Sequence, residues 1–153
     1  MLSFLGNIEA KLDSKGRFFM PMPFRKLLQE NAEERMILKK DLYQTCLVLY
    51  PESIWNNELQ ELKSRLNKWD PKHQLILRQY VSDVEILSID INGRMLIPKR
   101  YLEMASIQND IRFIGMDDKI EVWAKNLTDQ PFMHPKDFSE ALKNVMTKEN
   151  NYE

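Results

Sequence analysis

Apolar and polar residues alternate along two stretches of the chain, and in both the alternation runs into the same turn. Ile8, Ala10 and Leu12 alternate with polar neighbours, and Phe18, Phe19 and Met20 follow a few residues on. Between them, Asp13 to Gly16 has Asp first and Gly fourth, the pattern of a type I turn in which the Asp side chain accepts from backbone N–H groups. Asp90 to Gly93 repeats it. Each copy therefore predicts a tight β-hairpin. A proline ends each second strand and suits the first turn of a helix, so Pro23 to Leu28 and Lys99 to Leu102 read as short helices. Met36-Ile37-Leu38 and Cys46 to Tyr50 then predict a strand pair, matched by Ile111 to Ile114 and Ile120 to Trp123.

The recurrence is literal. Leu12 to Pro21 aligns without a gap with Ile89 to Pro98, with identities at Asp13 and Asp90, Gly16 and Gly93, Arg17 and Arg94, and Pro21 and Pro98, all at one offset (90 − 13 = 77). Two copies imply one pseudo-twofold domain. The stretch from Gly16 to Tyr50 is four residues longer than that from Gly93 to Trp123, which reads as about one loop insertion.

Outside the copies the period is helical. After Pro51, the residues Ile54, Trp55, Leu59, Leu62, Leu66 and Trp69 keep mostly three- and four-residue spacing and predict one amphipathic helix. Asp70-Pro71 stops it and starts a second helix running to about Val81. Residues 126–135 read as a loop, followed by a terminal helix carrying Phe138, Ala141, Leu142 and Val145. The expected organisation is a single α+β domain over 1–147: a first repeat at about 5–50, a helical insertion at 51–81, a second repeat at 82–125, and a loop with a terminal helix at 126–147. Residues 148–153 form a tail.

Composition narrows the class. With 153 residues, 43% hydrophobic, the chain can bury a substantial core. No apolar run approaches the roughly 20 residues of a spanning helix, and the N-terminus lacks the pattern of a signal peptide. The one cysteine, Cys46, lies in an apolar strand run, which predicts a buried reduced thiol and a cytoplasmic location. A net charge of −1 argues against indiscriminate polyanion binding, yet charge is uneven. From Lys11 to Lys26, the cations Lys11, Lys15, Arg17, Arg25 and Lys26 face Asp13 alone, whereas Arg94, Lys99 and Arg100 face Asp90 and Glu103 in the second copy.

Reactive constellations are sparse. His73 and His134 have no partners at metal-ligand spacing, so no metal is expected, and four glycines cannot supply a phosphate loop or a nucleophile elbow, so no cofactor or small-molecule substrate is expected either. The Asp/Arg pairs could form an acid–base constellation across the pseudo-twofold, or each Asp could mould its turn while its Arg pairs back onto it. Lys15, at a turn tip, and Arg17 beside it could be solvated surface charges or could enter a nucleic-acid groove. One tip offers too few contacts for useful affinity, so a DNA reading requires many copies of it.

The doubled Asp-x-x-Gly-Arg motif, each followed by an apolar strand and Pro, resembles the MraZ family of bacterial transcription regulators, within the AbrB-like, SpoVT-type swapped-hairpin DNA binders. Pro21 to Arg25, Leu49 to Trp55, Arg78 and Glu121 to Trp123 extend the likeness over nearly the whole chain. The resemblance implies two intertwined swapped-hairpin repeats forming a small β-barrel-like core with peripheral helices, and no enzymatic activity. It implies a ring-shaped homo-oligomer that regulates transcription of the division and cell wall gene cluster from short direct repeats in double-stranded DNA, nucleoid-associated and without membrane contact. Carried onto this sequence, it gives Lys15, Arg17 and Arg25 as DNA contacts, with Ser14, Asn92 and Arg94 beside them and Asp13, Gly16, Asp90 and Gly93 shaping the turns. Asn92 in place of Lys15 and Leu102 in place of Arg25 leave the second copy with less cationic reach, so the first tip is expected to carry most DNA contact. The alternative is a structural or protein-interaction module whose basic tips bind an acidic partner.

Overall fold

The computed structural model describes residues 1–148. Each copy contributes strand, turn, strand, helix and two further strands. The first holds β1 (Asn7–Lys11), β2 (Arg17–Phe19), α1 (Met22–Glu30), β3 (Arg35–Lys40) and β4 (Leu47–Pro51). Two helices follow, α2 (Glu52–Arg65) and α3 (Pro71–Ser82). The second copy holds β5 (Val84–Ser88), β6 (Arg94–Leu96), α4 (Lys99–Met104), β7 (Asp110–Gly115) and β8 (Ile120–Ala124). A 3-10 turn, Lys125–Thr128, leads to α5 (Pro135–Thr147). The expected tail, apart from Lys148, lies outside the described residues.

The strands flanking each turn do not pair with each other as a local hairpin would. β1 pairs with β7, and β5 pairs with β3, while β2 pairs with β6 and β4 with β8, all antiparallel. The two copies thus exchange strands, giving an α+β swapped-hairpin core with helices at its periphery. A six-stranded sheet runs β1-β7-β8-β4-β3-β5, and β2 and β6 form a separate two-stranded ribbon. Phe18 lies opposite Met95 in the ribbon, and these are repeat equivalents (95 − 18 = 77). The pseudo-twofold passes between them. Within the first turn Asp13 N–H donates to Arg17 C=O at 2.9 Å and Gly16 N–H to Asp13 C=O at 3.1 Å, and pairing across copies lets both apolar faces share one core.

That core lies between the sheet and the ribbon. Phe18, Met36, Leu38, Leu49, Met95 and Phe113 are almost fully buried there, and the Phe18 and Phe113 rings meet at 5.2 Å. Each such side chain contributes about 1.5–3 kcal/mol through burial. On the opposite face of the sheet, Ile37, Val48, Tyr50 and Trp55 form a smaller cluster. Trp55 stacks on Tyr80 at 5.3 Å, joining α2 to α3.

Two lengths differ from expectation. α1 and α4 begin 77 residues apart, at Met22 and Lys99, but end in the same left-handed cap 74 residues apart, at Ala32 and Ser106 with φ of 54° and 56°. The caps are closed alike, by Glu33 N–H to Leu28 C=O and Ile107 N–H to Leu102 C=O, each at 2.9 Å. The length difference between repeats is therefore mostly one helical turn, not a loop insertion. α2 also stops at Arg65, leaving Leu66 and Trp69 outside it and Trp69 83% exposed. Asn67 ends the helix early: its side chain accepts from Trp69 N–H, and its own N–H donates to His73 Nδ1. Asp70 then caps α3 by accepting from Lys72 N–H. No helix among the described residues is long and apolar enough to cross a membrane.

Candidate nucleic-acid interface

The two turns are built alike, atom for atom. Asp13 Oδ1 accepts from the N–H groups of Lys15 and Arg17, both at 2.9 Å, and Oδ2 accepts from Arg17 Nε at 2.6 Å. Asp90 Oδ1 accepts from Asn92 and Arg94 N–H at 2.8 and 2.9 Å, and Oδ2 from Arg94 Nε at 3.1 Å. Gly16 and Gly93 close the turns at φ of 85° and 83°, a region that residues with a Cβ enter only at a cost. The backbone N–H of Arg17 leads the bonds that hold the Asp13 carboxyl down at about 2, with the Arg17 side chain and Lys15 N–H adding to it. Asp90 is lowered in the same way, first by Arg94 N–H.

This arrangement separates the two readings of the Asp/Arg pairs. A general acid working near neutrality needs a raised carboxyl, and both carboxyls are lowered. Each Asp moulds its turn and grips its Arg by Nε. Arg17 and Arg94 keep their Nη groups free of hydrogen bonds among the described residues, so each guanidinium presents its outer edge already oriented. The side chains of Lys15, Ser14 and Asn92 are exposed and unbonded within the described chain. Lys11, by contrast, sits 3.9 Å from Asp110 in an exposed pair.

Arg25 lies elsewhere than the linear sequence suggests. A Cβ on Gly93 would collide with the Arg25 guanidinium, so Arg25 packs against the second turn and not the first. Its counterpart Leu102 packs against Gly16. Each helix leans on the other copy's turn, as the strand exchange requires. A shallow cleft beside the first turn brings Lys15 together with Lys99, Leu102 and Glu103, and one beside the second turn brings Asp90 together with Arg25. The cationic surplus counted along the first copy is thus divided between the turns. Sequence reasoning passed over Lys99 as a member of the first turn's surface. The 77-residue offset would have found it only in combination with the exchange.

The ribbon links the turns. Met20 N–H donates to Gly93 C=O at 3.1 Å and Ile97 N–H to Gly16 C=O at 3.0 Å, so the turns cap opposite ends of the ribbon. At about 3.3 Å per residue, the four steps from Gly16 to Met20 separate them by roughly 13 Å. Phe18 and Met95 point inward and are 1% exposed, whereas Phe19 and Leu96 are 63% and 48% exposed. Across the strands Arg17 faces Leu96, and Phe19 faces Arg94.

Other candidate groups serve the fold. His134 Nδ1 accepts from Lys136 N–H at the start of α5, as His73 does for Asn67 before α3. Cys46 is fully buried, as its setting predicts. Its sulfur lies within 4.8 Å of carboxylate oxygens of Asp41 and Glu121. Burial, and then these two carboxylates, push the thiol well up, so it stays protonated. Asp41 is engaged by Tyr43 and Gln44 N–H and Glu121 by Trp123 Nε1.

Comparison with known proteins matches the chain at residues 3–79 and 84–142 to the family described as "MraZ protein, putative antitoxin-like". The chain is 61% identical over 150 residues to the "Transcriptional regulator MraZ" of Bacteroides thetaiotaomicron, covering 98% of this chain and 96% of that one. It is 56% identical over 152 residues to the protein of the same name from Phocaeicola vulgatus, covering 99% of each. The corresponding Flavobacterium psychrophilum protein is 35% identical over 154 residues, covering 100% and 98%. With the match spanning both Asp-x-x-Gly-Arg turns and the strands they exchange, the chain belongs to the MraZ family.

Proposed function

We propose that this protein is a sequence-specific DNA-binding transcriptional regulator, cytoplasmic and nucleoid-associated, and that it is not an enzyme. The observation that carries the reading is the pair of Asp-clamped turns, which hold Arg17 and Arg94 in fixed orientation at the two ends of one ribbon. Lys15, Ser14, Asn92 and Arg25 complete the DNA-contacting set, while Asp13, Gly16, Asp90 and Gly93 hold its shape. Pre-set guanidinium edges suit guanine or phosphate, and the lysines suit phosphate. The names of the relatives support the regulatory role.

One chain presents only two turns, so affinity at physiological salt depends on repetition. We infer a ring-shaped homo-oligomer that sets successive turns on short direct repeats upstream of the division and cell wall gene cluster. Residues 1–147 act in it as a single unit of two repeats. Mobility shift with DNA from immediately upstream of the protein's own coding sequence tests the binding, and light scattering tests the assembly. A specific shift at moderate salt by a multimer is expected. Absence of any specific shift would favour a module whose basic turns bind an acidic protein, and a monomer at micromolar concentration would overturn the ring.

A further inference from the structure

The outer face of the ribbon carries two apolar side chains that the fold does not use. Phe18 and Met95 already fill the inward positions of β2 and β6. Phe19 and Leu96, one residue along each strand, face away from the core. They are also repeat equivalents (96 − 19 = 77), so the same outward position is apolar in both copies. Each stands opposite the other copy's clamped arginine, Phe19 across from Arg94 and Leu96 across from Arg17. The face is a small parallelogram with guanidinium groups on one diagonal and hydrocarbon on the other.

We propose that Phe19 and Leu96 are specificity-determining residues that contact thymine C5-methyl groups on the floor of the DNA major groove. The proposal rests on the DNA-binding reading and names what that surface reads. A two-stranded ribbon fits the roughly 12 Å width of the major groove, and the thymine methyl is the one apolar group displayed there. The flanking charge selects this occupant. A patch bounded by Arg17 and Arg94, with Lys15 and Arg25 at the adjoining turns, approaches a duplex with its cations toward phosphates and guanine edges. Phe19 and Leu96 are then left facing the bases between them. Phosphate contacts position the ribbon without reading sequence, so these two side chains discriminate thymine from cytosine at the steps they cover.

The test uses the full-length protein and the DNA segment from immediately upstream of its coding sequence. Thymines are replaced one at a time by deoxyuridine, which removes only the methyl group. Loss of a buried methyl is worth about 0.8 kcal/mol, or roughly fourfold in affinity. The expected result is a loss of about that size at a few thymines in each protected repeat, with the salt dependence unchanged. In Phe19→Ser the replacements at the thymines that Phe19 covers have no further effect, in Leu96→Ser those at the thymines that Leu96 covers, and the double variant ignores both sets. Wild-type protein that binds the thymine DNA specifically but ignores every deoxyuridine overturns the inference and leaves the DNA-binding reading intact. Failure of wild-type protein to bind the thymine DNA overturns both. A change in assembly mass in the serine variants, with their deoxyuridine sensitivity retained, assigns the patch to contact between copies and also overturns the inference.

Discussion

The guanidinium of Arg25, from the first repeat, occupies the space that a side chain on Gly93, in the second, would fill. The relationship follows from strand exchange. Because β2 pairs with β6 and not with β1, the helix that follows each second strand is delivered to the opposite turn. The cation-poor second turn, with Asn92 at its tip, thereby acquires Arg25, and the Lys15 turn acquires Leu102 and Lys99. The two turns are closer in charge than their own sequences are.

Arg25→Ala should accordingly act as a lesion of the second turn. Fluorescence anisotropy across a salt series is expected to show Lys15→Ala and Arg25→Ala each weakening DNA binding and each lowering the slope of log affinity against log salt by about 1 per turn engaged. Asn92→Ala should leave the slope unchanged. The converse substitution, Leu102→Arg, adds a cation beside Gly16 and should steepen the slope. An unchanged slope in Arg25→Ala would exclude that side chain from phosphate contact.

The two glycines should respond differently to alanine. Both hold positive φ, so each substitution costs about 1–2 kcal/mol from backbone conformation alone. At Gly16 the new Cβ also meets the Ile97 carbonyl oxygen at 2.8 Å, a backbone atom that cannot move aside without disturbing the ribbon. At Gly93 it meets the end of a flexible arginine. Urea denaturation should therefore place Gly16→Ala below Gly93→Ala in midpoint. Gly93→Ala should lose more DNA affinity than its stability implies, because it displaces Arg25. Equal midpoints would contradict the difference in packing.

Acid should release the first turn late. The folded pKa of Asp13 is lowered to about 2 from an ordinary value of 3.8, led by the bond from Arg17 N–H. A depressed carboxyl contributes stability that is complete above the unfolded value and is lost as pH falls through the folded one. The window therefore runs from about pH 4 down to about 2, with Asp90 lowered in the same direction. Carboxyl carbon shifts followed by NMR titration should show Asp13 still ionised at pH 3. An Asp13 midpoint near 4 would mean that the clamp on Arg17 is absent in solution.

Much of this was legible in the sequence because turn chemistry is local. Asp13 and Gly16 announce their turn through backbone demands that no distant contact alters, and the proline-led helices after Pro21 and Pro98 follow from a missing N–H. The repeat offset also anticipated which strands correspond. What it could not show is which strands pair, because a hairpin closed within a copy and one exchanged between copies present the same alternation. The resemblance to the MraZ family supplied the exchange that the alternation could not, but the position of Arg25 against Gly93 follows only once the exchanged partners are known residue by residue. The early end of α2 was hidden for another reason: the spacing of Leu66 and Trp69 suits a helix, but the side-chain bonds of Asn67 and Asp70 outcompete it.

Alkali should destabilise the protein in part through Cys46. The thiol is fully buried, and burial, followed by the Glu121 and Asp41 carboxylates, raises its pKa far above the ordinary value. An acid raised in the folded state contributes stability that is complete below its unfolded pKa, about 8.5, and declines as pH rises beyond it. The unfolded chain then releases a proton that the folded chain retains, at about 1.4 kcal/mol per pH unit once the unfolded thiol is ionised. Buried Tyr50 and half-buried Tyr80 are raised too, chiefly by burial, and add to the decline near pH 10. Comparison with Cys46→Ala isolates the thiol, since the tyrosines are common to both proteins, as is the buried Lys39, whose pKa burial lowers. The variant should lose a roughly constant increment of packing near neutrality and then converge on the wild type between pH 8.5 and 10 in urea denaturation. A thiol reagent should label the native wild type only as fast as the protein unfolds. A stability difference independent of pH, or rapid native labelling, would place Cys46 in contact with water and with its neighbouring carboxylates solvated around it.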